Sequence, residues 1–505
     1  MTRSRQVLLL GTVPGILVVL ASLGCGNSDS SNFEASLTQT ANPLVAKYSV
    51  MVPPAGGSAW VEFGPDTNYG RQTSATPATT ANGQVVEVLV AGMKAHTTYH
   101  LRGHVSWGGQ TWDDQDRTFT TGTIPGLGLP GITVQRPTPG LKPDGGVEMF
   151  SGVGPGTLVR AFVTDLQGNV IWYYNIASNA GNPTPLRNMT NGHFLLNIGN
   201  LREVDLAGNI IREVTTQQIN QSLQAKGYNF QISDFHHDVI VLPNGHWIAL
   251  ANTVKPFTNL VGYPGVTNVL GDDLIDIDLN GNVAWAWSGF DSDLDINRHL
   301  QTASLIPGTL DWTHSNAIIY TKDGNLLLSM RHQSWILKIN YANGTGDGRI
   351  LWRLGWGGDF ALTGGDVSEW FYAQHFPHVE TTNGSTLTLD VVDNGNLRVF
   401  PNGSICSATC YSRATVFTVD EDSKVATLNW QYLPGFYSFW GGSIGTLSNG
   451  DIEFDMTAYP GKVPGSQIKE VTPDEKVVWQ LNLSGENAYR GYRIPSLYPG
   501  VTWNN

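Results

Sequence analysis

Short apolar or alternating segments, separated by turn dipeptides, dominate the sequence after residue 143. Six of these turns join an aspartate or asparagine to a glycine: Asp144-Gly145, Asn191-Gly192, Asn244-Gly245, Asp323-Gly324, Asn383-Gly384 and Asn449-Gly450. Such dipeptides between alternating segments are typical of two-residue β-hairpins with type I′ turns. The pattern therefore predicts an all-β fold built from hairpins.

A second turn signal follows each of these six turns. It is clearest in three segments, Asp165-Leu-Gln-Gly-Asn-Val-Ile-Trp172, Asp205-Leu-Ala-Gly-Asn-Ile-Ile-Arg212 and Asp278-Leu-Asn-Gly-Asn-Val-Ala-Trp285, and looser copies end in Trp352, Trp430 and Trp479. Two hairpins per repeat make a four-stranded antiparallel sheet, so six repeats predict a six-bladed β-propeller over residues 144–505, with the Trp side chains wedged between blades. A solenoid of hairpins is the alternative, but the repeat length varies too much for regular stacking.

A separate all-β unit is predicted over residues 44–122. Its strand-like segments are Trp60-Val-Glu-Phe63, Val85–Val90, Thr98–Arg102 and Arg117–Thr120. Turn signals every eight to twelve residues favour a small β-sandwich that resembles the fibronectin type III fold. We expect it to act as a spacer or in forming a homodimer, and the Gly- and Pro-rich residues 123–143 to link it to the first blade.

The N-terminal residues are typical of a targeting signal. Arg3 and Arg5 precede the apolar run Val7–Leu23, so residues 1–25 are predicted to be a signal peptide that directs export to the periplasm. Ser22-Leu-Gly-Cys25 resembles a bacterial lipobox with Ser where Leu is usual. Lipidation of Cys25, which would anchor the protein to the membrane, and simple export both remain open. Residues 26–43 are predicted to be a flexible tether.

The net charge excludes some classes of partner, and the two remaining cysteines suggest a covalent link. The formal net charge is −13, which argues against nucleic acid or an anionic membrane surface as a partner. Apart from Cys25, the chain contains Cys406 and Cys410. In an exported protein so close a pair is most simply a disulfide. A metal-binding pair is the competing interpretation, but no other cysteine is left to complete a thiolate site.

Three histidines occupy equivalent positions in successive repeats. They lie in Asp234-Phe-His-His-Asp238, Asp311-Trp-Thr-His-Ser-Asn316 and Ala373-Gln-His-Phe-Pro377, and His237, His314 and His375 precede the turn glycine by 8, 10 and 9 residues. In a propeller these positions share one rim of the central channel. We therefore expect the three imidazoles to gather at one mouth of the channel, although each alone could be a structural residue.

Other polar residues are predicted at the same rim. Arg331 follows the turn glycine Gly324 by seven residues, Asn316 lies two residues after His314 on the same strand face, and Asp393 falls nearby. His236 and His332 should point away from this rim and be structural.

The chemistry of this set leaves three classes of function open. Three histidines can bind zinc, iron or copper, whereas an arginine beside them favours a tetrahedral anion such as sulfate or phosphate. The alternatives are transfer of a charged group to a histidine, a metal-dependent propeller enzyme, and a non-catalytic exported protein that binds anions or glycans.

Several motifs in succession resemble the bacterial arylsulfate sulfotransferases. These motifs are Asn325-Leu-Leu-Leu-Ser-Met-Arg331, Gly348-Arg-Ile-Leu-Trp-Arg-Leu-Gly355, Ala373-Gln-His375 and Val391-Val-Asp-Asn-Gly395. His237-Asp238, Leu242-Pro-Asn-Gly245 and Arg493-Ile-Pro-Ser-Leu-Tyr498 extend the resemblance. The family is periplasmic, combines a six-bladed propeller with an N-terminal β-sandwich, and moves a sulfuryl group from a phenolic sulfate ester to another phenol.

The resemblance implies a role for each candidate residue and requires neither a metal nor an adenosine-based sulfate donor as cofactor. His375 would be the nucleophile that becomes sulfohistidine in a ping-pong mechanism, with His378 as a rival. His314, Asn316 and Arg331 would hold the sulfuryl oxygens, and His237 would assist the phenolic oxygen as acid or base. The family's close cysteine pair has its counterpart in Cys406 and Cys410, and the resemblance specifies no particular acceptor.

Overall fold

A computed structural model describes residues 34–53, 56–79, 83–124, 128–153, 159–175, 184–407, 410–457 and 464–504. The predicted signal peptide, Cys25 and residues 26–33 of the predicted tether lie outside these ranges. The one α-helix among the described residues, α1 (Thr216–Ala225), is too short to cross a membrane. Strands dominate the rest, and the all-β prediction is confirmed.

The described residues of the N-terminal region form nine strands in two sheets. They are β1 (Ala35–Gln39), β2 (Ala46–Val52), β3 (Ser58–Gly64), β4 (Arg71–Gln72), β5 (Thr76–Pro77), β6 (Gln84–Val90), β7 (Thr98–Trp107), β8 (Gln110–Asp113) and β9 (Arg117–Thr120). One sheet has the order β1-β2-β6, and the other has the order β4-β3-β7-β8 with β5 on β3 and β9 on β7. Alternate residues such as Tyr48, Val61 and Leu101 are buried in a shared core. Because β1 pairs with β2, this region begins inside the predicted tether.

The other strands in the described part of the chain form six further sheets. The first half comprises β10 (Gly131–Gln135), β11 (Val147–Val153), β12 (Ala161–Thr164), β13 (Val170–Tyr174), β14 (Leu186–Asn188), β15 (Phe194–Asn197), β16 (Leu201–Val204), β17 (Ile210–Val214), β18 (Asp234–Val241), β19 (Trp247–Leu260), β20 (Tyr263–Ile277), β21 (Val283–Ser288) and β22 (Leu310–Asp311). The second half comprises β23 (Ser315–Tyr320), β24 (Leu326–Met330), β25 (Trp335–Ile339), β26 (Ile350–Leu354), β27 (Ala361–Thr363), β28 (His375–Asn383), β29 (Thr386–Asp393), β30 (Arg413–Asp420), β31 (Val425–Tyr432), β32 (Ser443–Thr446), β33 (Ile452–Thr457), β34 (Gly465–Val471), β35 (Val477–Ser484) and β36 (Asn487–Ile494). Three single-turn 3₁₀ helices, Gly289–Asp291, Ala342–Gly344 and Val367–Glu369, lie between strands.

Four sheets are built from consecutive antiparallel strands and two interlock the chain ends. The second to fifth sheets are β14–β17, β18–β21, β23–β26 and β28–β31, with β22 added in parallel to β20 and β27 to β31. The first sheet has the order β13-β12-β11-β36, so the last strand joins strands from the beginning of the region. The sixth sheet, β32–β35, takes β10 as an extra strand, which lies inside the predicted linker.

The innermost strands of neighbouring sheets contact one another in a ring. β36 contacts β32, β32 contacts β28, β28 contacts β23, β23 contacts β18, β18 contacts β15, and β14 contacts β11, which pairs with β36. Residues at the same end of these strands therefore converge, and this brings the three repeated histidines together.

The turn chemistry differs in detail from the two-residue type I′ hairpins that the dipeptides predict. In four of the turns the glycine takes a positive φ, and its N–H donates to the carbonyl three residues earlier, at Met189, Leu242, Thr321 and Leu447. The asparagine or aspartate before each glycine keeps a negative φ. The glycine thus follows a type I turn at the left-handed position of a longer hairpin loop. Asp144-Gly145 forms no hairpin, because β10 and β11 belong to different sheets.

Tryptophans of the outer strands connect one sheet to the next, as predicted. The indole N–H of Trp172 donates to the carbonyl of Leu206, and that of Trp479 donates to Leu166. Buried indoles combine a large apolar surface with one satisfied donor. They therefore stabilise the contacts between sheets on which the inner ring depends.

Candidate active site

A cavity of about 570 Å³ lies at one end of the inner strands. Its lining includes histidine, arginine and aromatic side chains from several sheets: His236, His237, His314, His332, His375, Arg331, Phe439, Trp440 and Tyr489. Four residues predicted from the sequence, His237, His314, Arg331 and His375, are thus brought together. Such a concentration of imidazoles and aromatic rings around a guanidinium makes this cavity the candidate active site.

The backbone is irregular where the inner strands enter the cavity. His237 and His314 have φ values of 50° and 48°, and Phe376, next to His375, has a φ of 42°. The strand register also shifts here, between Phe235 and Val239 in β18 and between His375 and His378 in β28. Non-glycine residues in the left-handed region are strained and cluster at functional sites. The irregularity turns consecutive side chains toward the same cavity.

His375 is held in one tautomer. Its Nδ1 lies 2.6 Å from Oδ1 of Asn394, while Nδ2 of Asn394 donates to the carbonyls of Ser438 and Gly441 at 2.8 and 3.1 Å. Because both amide hydrogens of Asn394 are directed to carbonyls, its oxygen must accept from His375. His375 therefore carries its proton on Nδ1, and Nε2 keeps a lone pair.

The environment of His375 also keeps its imidazole neutral. The side chain is buried, and burial, together with the nearby positive charge of Arg331, lowers the pKa of His375 well below its usual value. A neutral imidazole with a fixed Nδ1–H and an unprotonated Nε2 is a nucleophile.

Arg331 brings a positive charge into the cavity without a neutralising partner. One Nη atom donates to the carbonyl of Phe439 at 3.0 Å, and Nε is buried without a hydrogen-bond partner. No carboxylate in the described ranges forms an ion pair with it. Burial lowers the pKa of Arg331, although Asp311 opposes this effect. A guanidinium stays charged in proteins, so the cavity is prepared for an anion.

His314 is oriented by a buried carboxylate. Its Nδ1 donates to Oδ2 of Asp311 at 2.6 Å, and its ring stacks on His332 with centroids 4.5 Å apart. A carboxylate on one ring nitrogen fixes the orientation of the imidazole and makes the other nitrogen a better donor or acceptor. Asp311, His314 and His332 could also hold a metal ion, since one ligand atom from each lies within 4.8 Å of the others.

His236 and His237 form a pair of imidazoles linked through their Nδ1 atoms, 2.8 Å apart. Nε2 of His236 lies 3.2 Å from Asp272, and this carboxylate outweighs burial and raises the pKa of His236. Burial and the neighbouring His314 instead lower the pKa of His237 well below its usual range. His236 is therefore the proton donor of the pair, and His237 accepts at Nδ1 and carries its own proton on Nε2.

Residues 156–493 match the family model of arylsulfotransferases (ASST). The chain belongs to the arylsulfotransferase family. No curated protein matches the chain.

Solved structures give only distant similarity to this arylsulfotransferase. A streptogramin B lyase structure is 12% identical, with a TM-score of 0.30, and covers 70% of this chain and 98% of its own. A catalytically inactive virginiamycin B lyase from Staphylococcus aureus is 10% identical, with a TM-score of 0.29, and covers 70% and 99%. A DUF4784 family protein from Bacteroides caccae is 9% identical, with a TM-score of 0.28, and covers 88% and 94%. Such scores are too low to establish a shared fold.

Three residues considered as candidates lie away from the cavity. Asn316 is buried, and its Nδ2 donates to the carbonyl of Gln374 at 2.7 Å. His378 bonds to Glu380 and lines a different cavity. The carboxylate of Asp393 accepts from two arginines, Arg398 and Arg413. Asn316 does not follow His314 into the cavity because the left-handed φ of His314 and the register shift after Ser315 break the strand alternation.

The prediction that His236 and His332 point away from the site is wrong, since both line the cavity. His236 turns inward because the left-handed residue beside it ends regular alternation, and His332 lies in a turn after β24. In the structure Cys406 is bonded to Cys410, the predicted pair, and this bond borders an adjoining cavity of about 800 Å³ that shares Arg331 and His332.

Sequence reasoning assigned no role to Asn394, Asp311 or Tyr489. Tyr489 lies on the last strand, and its ring contacts His237 and His375 with centroids 5.5 and 6.0 Å away. Its hydroxyl is buried without a hydrogen-bond partner, and burial raises its pKa. Trp440 stacks beside it. Together these rings form an aromatic wall next to His375.

Proposed function

We propose that this arylsulfotransferase moves a sulfuryl group from a phenolic sulfate ester to a phenolic acceptor through a sulfohistidine on His375. The observation that carries the proposal is the bond from His375 Nδ1 to Asn394, which leaves the opposite nitrogen free in a cavity that contains the unpaired Arg331. A nucleophile beside an unneutralised cation suits attack on a sulfate monoester.

In the first half-reaction the Nε2 lone pair of His375 attacks sulfur as the bond from sulfur to the aryl oxygen breaks. The departing oxygen takes the Nε2 proton of His237, and His237 takes the Nδ1 proton of His236 across their 2.8 Å contact. His236, which is paired with Asp272, thus gives up one proton and becomes neutral. The departing aryl oxygen gains one proton through His237. The phenol leaves neutral, and the sulfuryl group stays on His375.

The sulfuryl group in transit resembles a loose SO₃-like species, so positioning and charge stabilisation dominate the catalysis. Arg331 would bind its oxygens together with a His314 that is protonated on both nitrogens, with Nδ1–H donating to Asp311 and Nε2–H donating to the sulfuryl group. Tyr489 and Trp440 would contact the aryl ring. In the second half-reaction an acceptor phenol gives its proton back along the His237–His236 pair as its oxygen attacks sulfur. The sulfur–nitrogen bond then breaks and regenerates neutral His375.

We also propose a fold architecture, a cellular location and an oligomeric state for this protein. We infer that the six sheets are the blades of a propeller, since their inner strands form a ring, and that the two N-terminal sheets are a fibronectin III-like sandwich. We further propose export to the periplasm, with Cys25 as a lipid anchor and a homodimer as the assembly. Cell fractionation of the wild type and Cys25→Ser tests the anchor, and sedimentation velocity tests the dimer.

Turnover of p-nitrophenyl sulfate with phenol as acceptor tests the proposed function. We expect release of p-nitrophenol together with formation of phenyl sulfate, and no loss of rate after treatment with EDTA. Activity that is lost with EDTA and restored by zinc would instead support a metal-dependent enzyme at Asp311, His314 and His332. Binding of aryl sulfates without any turnover would support a non-catalytic anion-binding protein.

A further inference from the structure

A second cluster of ionisable side chains lies farther along β28, away from the histidine cavity. His378 and Glu380 belong to β28, and Asp390 lies opposite His378 on β29. Nδ1 of His378 is 2.8 Å from Oε1 of Glu380, and one ligand atom from each of the three residues lies within 4.8 Å of the others. None of the three lines the histidine cavity.

The two carboxylates of this cluster have no cationic partner from arginine or lysine in the part of the chain that the structure describes. Asp390 is 0% exposed, and among the described residues its buried Oδ1 has no hydrogen-bond donor other than the neighbouring Glu380 carboxyl group. Its Oδ2 accepts from the Thr446 hydroxyl at 3.2 Å, and the Thr446 backbone N–H donates to Glu380 at 2.7 Å. Adjacent carboxylates, of which Asp390 is buried and Glu380 is 18% exposed, repel each other unless a proton or a cation lies between them.

Another group of carboxylates, which is buried, has an arginine at its centre. Glu148, Glu453 and Glu470 surround Arg493, whose guanidinium bonds to all three. At Glu380 and Asp390 the corresponding place is held only by His378, whose imidazole is a common metal ligand. The Asp390 oxygen can therefore serve as a metal ligand in place of sharing a proton with Glu380, in a group that also offers a ring nitrogen.

We propose that His378, Glu380 and Asp390 bind a divalent transition-metal ion such as Zn²⁺. One imidazole and two carboxylates are ligands that Zn²⁺ accepts, at bond lengths of about 2.0–2.2 Å, and the fourth position would be open to water. The side chain of His378 is 48% exposed. Its ring therefore has room to rotate slightly and bring a nitrogen to the same metal ion as the two carboxylates.

The ion would be reached from solvent and would join two sheets. His378 lines a cavity of about 720 Å³ with Phe376, Pro377 and Tyr492. Since Thr446 belongs to β32 of the sixth sheet, an ion on β28 and β29 would reinforce its hydrogen bonds across the contact between the fifth and sixth sheets. The expected role is structural, and sulfuryl transfer does not depend on it.

Titration of tag-free, EDTA-dialysed full-length protein with Zn²⁺ tests this site. We expect one equivalent to bind, with a rise in the melting temperature. His378→Ala and Glu380→Gln should each weaken binding by more than about tenfold, since even the loss of outer-shell partners costs 10–100-fold, and should abolish the rise. His100→Ala, which removes another histidine–carboxylate pair (2.7 Å from Asp116), is the matched control and should bind normally.

The variants also separate this site from the active-site histidines. His314→Ala should retain the Zn²⁺ equivalent, and His378→Ala should retain p-nitrophenyl sulfate turnover. The proposal is overturned if no equivalent binds, or if binding survives in His378→Ala and Glu380→Gln but is lost in His314→Ala. Because turnover is measured separately, neither result bears on the sulfohistidine.

Discussion

Arg331 and Arg493 are both largely buried, yet their surroundings are opposite in charge. Arg493 bonds to Glu148 at 2.8 Å, to Glu453 at 2.8 Å and to Glu470 at 3.1 Å, where the first and sixth sheets meet. Among the described residues, the Arg331 guanidinium donates only to the carbonyl of Phe439, and it faces the histidine cavity. The carboxylates raise the pKa of Arg493, whereas burial lowers the pKa of Arg331.

This difference distinguishes Arg493, which pairs with carboxylates between two sheets, from Arg331, whose charge no carboxylate neutralises in the described part of the chain. A buried charge is costly unless it is paired, so the protein pairs Arg493 with its own carboxylates. Arg331 lacks such a carboxylate within the ranges that the structure describes, and the proposed sulfate ester would supply the missing negative charge. The two arginines should therefore respond to substitution in opposite ways, Arg493 in stability and Arg331 in turnover.

Substitution of Arg493 should have the largest effect. Arg493→Ala leaves three buried carboxylates without a cation, which should lower the free energy of unfolding by about 3–5 kcal/mol. Urea denaturation measures this loss, and Arg349→Ala, at an exposed ion pair with Asp347, is the control that should change stability by less than about 0.5 kcal/mol. Equal stability of the two variants would contradict the role of Arg493.

Arg331→Ala should slow turnover of p-nitrophenyl sulfate by about 10²–10³-fold, because a charge-assisted donor to the sulfuryl oxygens is lost. Arg331→Lys should fall between this variant and the wild type, since lysine keeps the charge but not the planar fork. The melting temperature should stay near that of the wild type in both. A nearly normal rate in Arg331→Ala would show that the guanidinium does not bind the transferred group.

Loss of the disulfide should affect stability rather than chemistry. Cys406→Ser opens a loop between residues four apart, and the lost chain constraint should lower the free energy of unfolding by about 2 kcal/mol. Chemical denaturation measures the change, and the rate constant for sulfuryl transfer should remain within a few fold of normal. Detection of two free thiols at Cys406 and Cys410 in the native protein would contradict the bond.

The smallest expected effect is that of pH on the first half-reaction. An imidazole with an ordinary pKa of about 6.5 would lose most of its nucleophilic form between pH 8 and pH 6. Burial and Arg331 lower the pKa of His375 well below that value, so its neutral form should persist throughout this range. His236, whose pKa is raised, also keeps its proton at the acid end of the range, so the burst rate with p-nitrophenyl sulfate should not decline as the pH falls from 7 to 6. A decline that follows a single pKa near 6.5 would show that His375 titrates like an exposed histidine.

The sequence predicted the histidine cluster because the repeat places equivalent residues at the same strand end. His237, His314 and His375 could be found in this way without knowledge of any contact. The inward turn of His236 and the displacement of Asn316 could not, because both depend on left-handed residues that no pattern marks.

The residues that contact the histidine cluster could not be predicted from the repeat either. Asn394 follows β29 and meets His375 only across the sheet, and Tyr489 is 114 residues after His375, on a strand that joins the first sheet. Hairpin positions could be predicted from the Asx-Gly dipeptides, except at Asp144-Gly145, which forms no hairpin, but their loop type could not. The loop type depends on whether the residue before the glycine adopts a positive φ.

The most direct test of the account is to mix the protein with an aryl sulfate donor in the absence of acceptor. One equivalent of phenol should be released in a burst, and mass spectrometry should find an adduct of about 80 Da, the mass of SO₃, on the peptide that contains Gln374 and His375. His375→Ala should lose both burst and adduct, whereas His378→Ala should keep both. An adduct on His378, or turnover without any burst, would contradict His375 as the nucleophile.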